Sequence, residues 1–350
     1  MKKSTQQSIE IKDFILENVK DHPQAIAAVT AEKFGLSRQA VLQHIHFLIN
    51  AGLLSFEGTT RDRRYSLTYI VDYLKRFPIE GLQEDKVWRD EVRPQLDGVA
   101  KNVLDICVYG FTEMVNNAID HSESKDLKIQ LRRTAIDIEI TIIDTGIGIF
   151  NKIQKELDLE DPMYAILELA KGKLTTDPKH HTGEGIFFSS RMFDFYAIWS
   201  GNLYFAHVGE PEVIGGNDWL FEDKEEKVQG TIVRMRIKSK SVRTTKAVFD
   251  YFAAGDDFGF SKTTVPVFLA QYGNENLISR SQAKRVIGRF EKFKEIILDF
   301  KGVNDIGQAF ADEIFRVFQS EHPKIRLIPV NTNEAVTRMI QRALEAAKGT

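Results

Sequence analysis

Glu113-Met114-Val115-Asn116-Asn117-Ala118-Ile119-Asp120-His121 is the stretch on which the fold turns. It lies in a predicted helix that begins near Val103. Glu113 and Asn117 are four residues apart, so they share one helical face. A carboxylate and an amide side by side can do two different jobs. Asn117 offers a neutral oxygen to a magnesium ion that already carries phosphate oxygens, and magnesium prefers few protein ligands. Glu113 can hold and polarise a water beside a terminal phosphate.

Outward from that helix, Ile136-Asp137-Ile138-Glu139-Ile140-Thr141-Ile142 alternates as a strand with one buried face should. It runs into Asp144-Thr145-Gly146-Ile147-Gly148-Ile149. An aspartate at a strand end can accept a hydrogen bond from an adenine amino group, and glycines let the backbone pass close to a base. Then comes His181-Thr182-Gly183-Glu184-Gly185-Ile186, followed by apolar helical residues. A glycine pair opening a helix suits phosphate, because backbone amides and the helix dipole both favour anions there. Gly230-Thr231 starts a second alternating strand, Thr231 to Ile237, and Glu210 to Gly230 reads as a polar loop.

Other chemistries are excluded. No Gly-x-x-x-x-Gly-Lys-Ser/Thr loop occurs, and Gly146-Ile147-Gly148 lacks the third glycine and acidic residue of a dinucleotide site. His180 and His181 beside Asp177 find no third metal ligand. His44 and His46 read as helix-surface residues, and Cys107 as an inert core thiol.

The four motifs, in this order and spacing, resemble the Bergerat-fold ATPases, the superfamily of gyrase, heat-shock chaperone, mismatch-repair and histidine-kinase ATP domains. The resemblance covers roughly residues 95–240. It implies a mixed sheet under helices, with Mg-ATP held between helices and a lid. On this resemblance Asn117 is the magnesium ligand, Asp144 reads adenine, Gly146 and Gly148 line the base, Gly183 and Gly185 cradle phosphates, and Thr231 supports the adenine site. Glu113 matches the hydrolytic glutamate of the gyrase-like members, and Lys173 lies in the lid within reach of a phosphate.

Before this core, Ala25 to Phe34 reads as a helix ended by Gly35, and Ser37 as the N-cap of a second helix closed by Gly52. Leu53 to Leu67 reads as a hairpin. Helix, turn, helix and hairpin resemble a winged helix-turn-helix, whose second helix enters the major groove of DNA. The implied DNA contacts are Ser37, Arg38, Gln39 and His44 on that helix, with Arg61, Arg63 and Arg64 on the wing. A winged helix used for protein contacts is the alternative. After the core, strands and helices alternate. Ile297 to Val303 and Phe310 to Phe315 resemble a STAS-like domain found attached to such ATPases. The stretch Asn304 to Ala309, where antagonist STAS proteins carry a phosphorylated serine, has no serine or threonine. That favours a module for partner binding or self-association.

The expected fold is therefore α+β in three domains: a winged helix (1–78), a Bergerat sandwich (85–240) and a small STAS-like α/β domain (260–350). The 350 residues suit two or three domains. With 43% apolar and 28% charged residues, the chain is not mostly disordered. A single cysteine excludes a disulfide framework and any cysteine-rich zinc site. The N-terminus lacks an apolar leader, and no apolar run approaches the roughly 20 residues of a membrane span, so a cytoplasmic protein without membrane contact is expected. Residues 1–78 hold 11 Lys/Arg against 8 Asp/Glu in a chain of net charge −3, which suits a DNA-binding head on an acidic body. Three functions follow from these parts: an ATP-gated transcription or signalling regulator, a serine/threonine kinase of the anti-sigma type acting on a separate STAS-like partner, and a scaffold that uses ATP structurally. Paired half-sites on DNA would suit a homodimer.

Overall fold

The computed structural model describes residues 2–59, 62–174, 183–210, 214, 216–223, 225, 227–253, 259–271 and 276–348. The first unit contains α1 (Lys2–Asn18), α2 (Ile26–Phe34), α3 (Arg38–Asn50) and an antiparallel hairpin of β1 (Leu54–Glu57) and β2 (Arg64–Leu67). Gly35, at φ 63°, ends α2 in the left-handed conformation that glycine adopts without strain. Two residues on, the Ser37 hydroxyl accepts from the Ala40 amide at 3.2 Å and starts α3. Ile11 and Ile15 of α1, with Val19 just after it, close a small core with Ile26, Val41, Ile45, Leu48, Leu54 and Tyr65. Sequence reading named no such first helix, because its opening residues are polar.

The boundary at 78 moves. β3 (Val71–Pro78) pairs antiparallel with β4 (Asp126–Arg133) and forms one edge of the large sheet. Phe77 belongs to the second core, with Val71 and Tyr73 against it. These side chains of β3 pack on the middle unit, so the chain leaves the first unit before Val71.

The middle unit continues with α4 (Glu84–Val87), drawn on through a wide turn to Leu96, and then the long α5 (Lys101–His121). After β4 come β5 (Asp137–Asp144), α6 (Ile149–Glu156), α7 (Met163–Lys171), α8 (Gly185–Met192), β6 (Phe195–Gly201), β7 (Leu203–Gly209), β8 (Gly216–Glu222), β9 (Val228–Lys238) and α9 (Thr245–Tyr251). The seven strands lie in the order β3-β4-β5-β9-β6-β7-β8. Every pairing is antiparallel, so the expected mixed sheet is not found. Short hairpins join β4 to β5 and β6 to β7, and such links impose the antiparallel sense. β8 lies inside the stretch read as a loop. Its alternation is masked by Asn217, Asp218 and Glu222, yet it pairs with β7 from Gly216 to Glu222.

In the last unit β10 (Lys262–Pro266), α10 (Arg280–Ile287), β11 (Glu295–Asp299), α11 (Gln308–Asp312), α12 (Gln319–Glu321), β12 (Arg326–Val330) and α13 (Glu334–Lys348) follow in turn, with a π-turn joining α11 to α12. The three strands are parallel in the order β10-β11-β12, as helical crossovers require. Ser279 and Gln282 form a reciprocal capping box at the start of α10. One hydrophobic core runs through both larger units. At their junction Phe187 and Phe188 of α8 pack on Phe260, with ring centroids 4.6 and 4.8 Å apart.

Candidate functional site

The side chains of β5, β9 and β6 that face the helices fall in cross-strand rows. Asp144 lies opposite Thr231, which lies opposite Ser200. Two residues back, the next row is Ile142, Val233 and Ile198. Period-two alternation therefore sets a polar row beside an apolar one. Asp144 is buried and accepts from the Gly146 amide at 2.9 Å. Thr231 lies directly across from it, and the Thr231 hydroxyl oxygen accepts from the Ile149 amide at 3.1 Å. Burial pushes the Asp144 carboxyl above its ordinary range, while the Gly146 amide and the neighbouring Thr231 work against that rise.

Across these rows lies α5. Glu113, Met114, Asn117, Ala118 and His121 come to one side of it, as a three- and four-residue spacing dictates. The Tyr196 hydroxyl of β6 bonds Met114 Sδ at 3.1 Å and ties α5 to the sheet. Between helix and sheet is a cavity of about 270 Å³. Glu113, Asn117, Asp144, Gly183, Gly185 and Thr231 all line it. The N-terminus of α8 enters from the side. Its first amides have no partner within the helix, and the side chain of the N-cap residue, Glu184, makes no capping hydrogen bond to it. The Glu113 carboxylate lies against it so closely that a Cβ on Gly185 would sit 2.0 Å from Oε2. Asn117 makes one long contact, from Nδ2 to Met114 Sδ at 3.9 Å.

Three expected site residues are not among those lining this cavity. Gly146 and Gly148 are outside the lining and solve an internal close approach instead. A Cβ on Gly146 would sit 1.8 Å from the Ser122 carbonyl oxygen, and one on Gly148 would sit 2.6 Å from Ser200 Oγ. Their smallness seats the β5–α6 turn on the end of α5 at Gly146 and against β6 at Gly148. Lys173, expected near a phosphate, donates to the Lys292 carbonyl at 2.9 Å and lies over the Phe293 ring. It is drawn to the last unit by that carbonyl and an aromatic face. His180, His181 and Asp177 lie outside the described residues.

Sequence reasoning missed Lys152. It lines the cavity from α6, donating to the His121 carbonyl at 3.2 Å and lying 3.8 Å from Glu156. Its signal was present: Ile149, Lys152, Ile153 and Glu156 recur at helical spacing just after the glycines. Tyr196 and Ser200 were legible only once the register of β6 was known.

In the first unit Ser37, Arg38 and Gln39 are exposed at the start of α3. His44 is half-buried, and burial with nearby Lys12 lowers its pKa. Arg64 is exposed opposite Glu57, while Arg63 stacks over Phe56 at 4.3 Å. Arg61 lies outside the described residues.

Two family comparisons agree with this geometry. Residues 107–241 match the family described as histidine kinase-, DNA gyrase B-, and HSP90-like ATPase. Residues 282–337 match the STAS-like domain of unknown function. No curated protein matches the chain. Among the described residues no helix is long and apolar enough to cross a membrane. The cavity between α5, α8 and the sheet lies within the first of the two matched stretches, and the chain therefore contains an ATP-binding domain of the histidine kinase-, gyrase- and HSP90-like type, followed by a STAS-like domain.

Proposed function

We propose that this chain is an ATP-hydrolysing regulator in which Mg-ATP in the cavity changes the grip of the first unit, a winged helix-turn-helix, on DNA. The observation that carries the nucleotide chemistry is the meeting of Glu113, one turn from Asn117, with the N-terminus of α8, in the cavity that Asp144 and Thr231 line. In this reading Asp144 accepts from the adenine amino group, held in register by Thr231. The apolar row Ile142–Val233–Ile198 takes the base. The α8 amides receive phosphate, and Lys152 adds a positive charge to the same cavity. Asn117 fits magnesium, since its neutral amide oxygen has no protein partner among the described residues. The metal, when bound, offsets phosphate charge. Glu113 orients a water and takes its proton.

The link to DNA rests on how the units join. Ala135 and Ile136, at the turn leading into β5, pack on the core of the first unit. Lys20 pairs with Asp137 at 2.8 Å, and Lys240 with Asp13 at 2.6 Å. β5 thus begins at this junction and ends at Asp144. β9 carries Thr231 near its start and ends beside Lys240. Two adjacent strands join the nucleotide cavity to the first unit. On α3, Ser37, Arg38 and Gln39 would read base edges, while Arg63 and Arg64 on the hairpin would touch phosphates. The STAS-like domain would serve a protein partner or self-association.

One reaction tests the reading: purified protein, magnesium and ATP labelled on the terminal phosphate, with Asn117→Ala as control. Released phosphate without labelled protein is expected. Label kept on this protein would replace the regulator with a kinase.

A further inference from the structure

We propose that Arg289, in the STAS-like domain, is a positioning residue for the nucleotide cavity, holding the Gly172–Leu174 backbone that leads into its wall. The inference rests on the ATP reading above. The last carbonyls of a helix have no partner within it. At the end of α7 a guanidinium from another domain takes one of them, that of Glu168, and two carbonyls just past the helix. Arg289 Nη2 donates to the Glu168 carbonyl at 2.7 Å. Its Nη1 donates to the Lys173 carbonyl at 3.0 Å and, more weakly, to Gly172 at 3.3 Å. Its Nε pairs with the Glu168 carboxylate at 2.6 Å. A planar fork can meet several acceptors at once, which a lysine cannot.

The backbone on both sides is unusual. Gly172, Lys173 and Arg289 all have positive φ, at 78°, 51° and 67°. Among the described residues only five non-glycine positions do, and two of them meet here through one hydrogen bond. Non-glycine residues hold this conformation at a cost, so the surroundings must enforce it. The enforcement is visible around Lys171. It is fully buried, and its Nζ donates to the Arg285 carbonyl at 2.6 Å and the Gly288 carbonyl at 3.1 Å, fixing the turn that carries Arg289.

From there the path to the cavity is short. The Leu174 amide donates to the Gly183 carbonyl at 3.1 Å. Gly183 lies so flush on Leu174 that a Cβ would sit 2.3 Å from its carbonyl. Leu174, Gly183 and Gly185 all line the cavity. Arg289 therefore sets the wall on the α8 side, while the Asp144 side rests on the sheet.

Arg289→Gly separates positioning from simple adhesion, because glycine relieves the strained φ while removing the fork. In the full chain, ATP and adenosine affinities are measured by titration, with melting temperature alongside. ATP binding is expected to weaken roughly tenfold, on the scale of one charge-assisted hydrogen bond, with adenosine binding little changed. Arg289→Lys, which keeps the charge beside Glu168, should fold and show a smaller shift in the same ratio. An unchanged ATP-to-adenosine ratio in the variants, whatever their melting temperature, would overturn the inference. Failure of the wild type to bind ATP would instead overturn the reading on which it rests.

Discussion

At the scale of single residues, glycines that look alike in sequence do opposite work. Gly146 faces backbone: an added Cβ would meet the Ser122 carbonyl at 1.8 Å, where nothing can give way. Gly146→Ala should therefore destabilise the fold by more than about 2 kcal/mol, read as a lowered denaturation midpoint. Gly185 faces the end of a flexible side chain, the Glu113 carboxylate, at 2.0 Å. Gly185→Ala should leave stability nearly intact and slow phosphate release by moving that carboxylate. Glu113→Gln should keep ATP binding and lower turnover about a hundredfold or more, the range for loss of a general base. Unchanged turnover would remove Glu113 from that role. Asp144→Asn should erode the preference for ATP over GTP, since sites built to bond one group reject analogues lacking it by up to about ten-thousandfold. Equal competition by GTP against the wild type would show Asp144 misassigned. Sequence made Glu113, Asn117, Asp144, Gly183, Gly185 and Thr231 legible because each sits at a helix face, strand end or helix start that local pattern defines. Lys152 and Lys173 were harder to place, since a lysine's direction depends on which carbonyls and rings the tertiary fold brings near it.

At the scale of elements, strong alternation or helical periodicity announced α5, β5 and β9 and most of the last unit. What escaped was set by neighbours. β8 needs β7 to be a strand at all, β3 is claimed by a sheet whose other members come later in the chain, and the polar start of α1 hides the apolar stripe of Ile11, Ile15 and Val19. The junction of α7 with the last unit was likewise invisible, although it contains a fully buried ammonium. Lys171 is fully buried, and burial lowers its pKa from 10.5 to about 8, with Glu168 and Glu291 working against the fall and Arg289 adding to it. Below pH 8 both folded and unfolded chains hold the proton. Between about 8 and 10.5 only the unfolded chain does, so stability gains from this group as pH rises through that window. Relative to Lys171→Met, the wild type should become more stable by up to roughly 3 kcal/mol between those limits, measured as the difference of two denaturation curves at each pH. A difference that stays flat with pH would mean that the folded chain holds this proton as tightly as the unfolded one and that burial does not lower the Lys171 pKa.

At the scale of the whole molecule, the question is whether the cavity and the first unit share one free energy. The first unit has its own core and touches the rest through Ala135, Ile136 and ion pairs such as Lys20–Asp137 and Lys240–Asp13. Exposed pairs of this kind contribute little to stability, about 0–1 kcal/mol each. They can still set orientation, and an easily shifted junction is what a nucleotide-dependent grip requires. If ATP changes DNA affinity by some factor, DNA must change ATP affinity by the same factor, because the coupling is a property of the complex and not of either ligand. A coupling of 1–3 kcal/mol is typical, or roughly five- to 150-fold. The expected result is a shift of that order in both titrations, made with Glu113→Gln so that ATP persists. DNA affinity should also fall steeply with salt if Arg63 and Arg64 meet phosphates. Arg38→Ala should weaken DNA binding without touching ATP binding. Turning the Lys20–Asp137 pair into a repulsion with Lys20→Glu should reduce both shifts while sparing each separate affinity, because it alters the joint and neither site. Equal shifts that survive this substitution would place the coupling elsewhere, and unequal shifts in the two directions would mean that the two ligands do not report on one equilibrium.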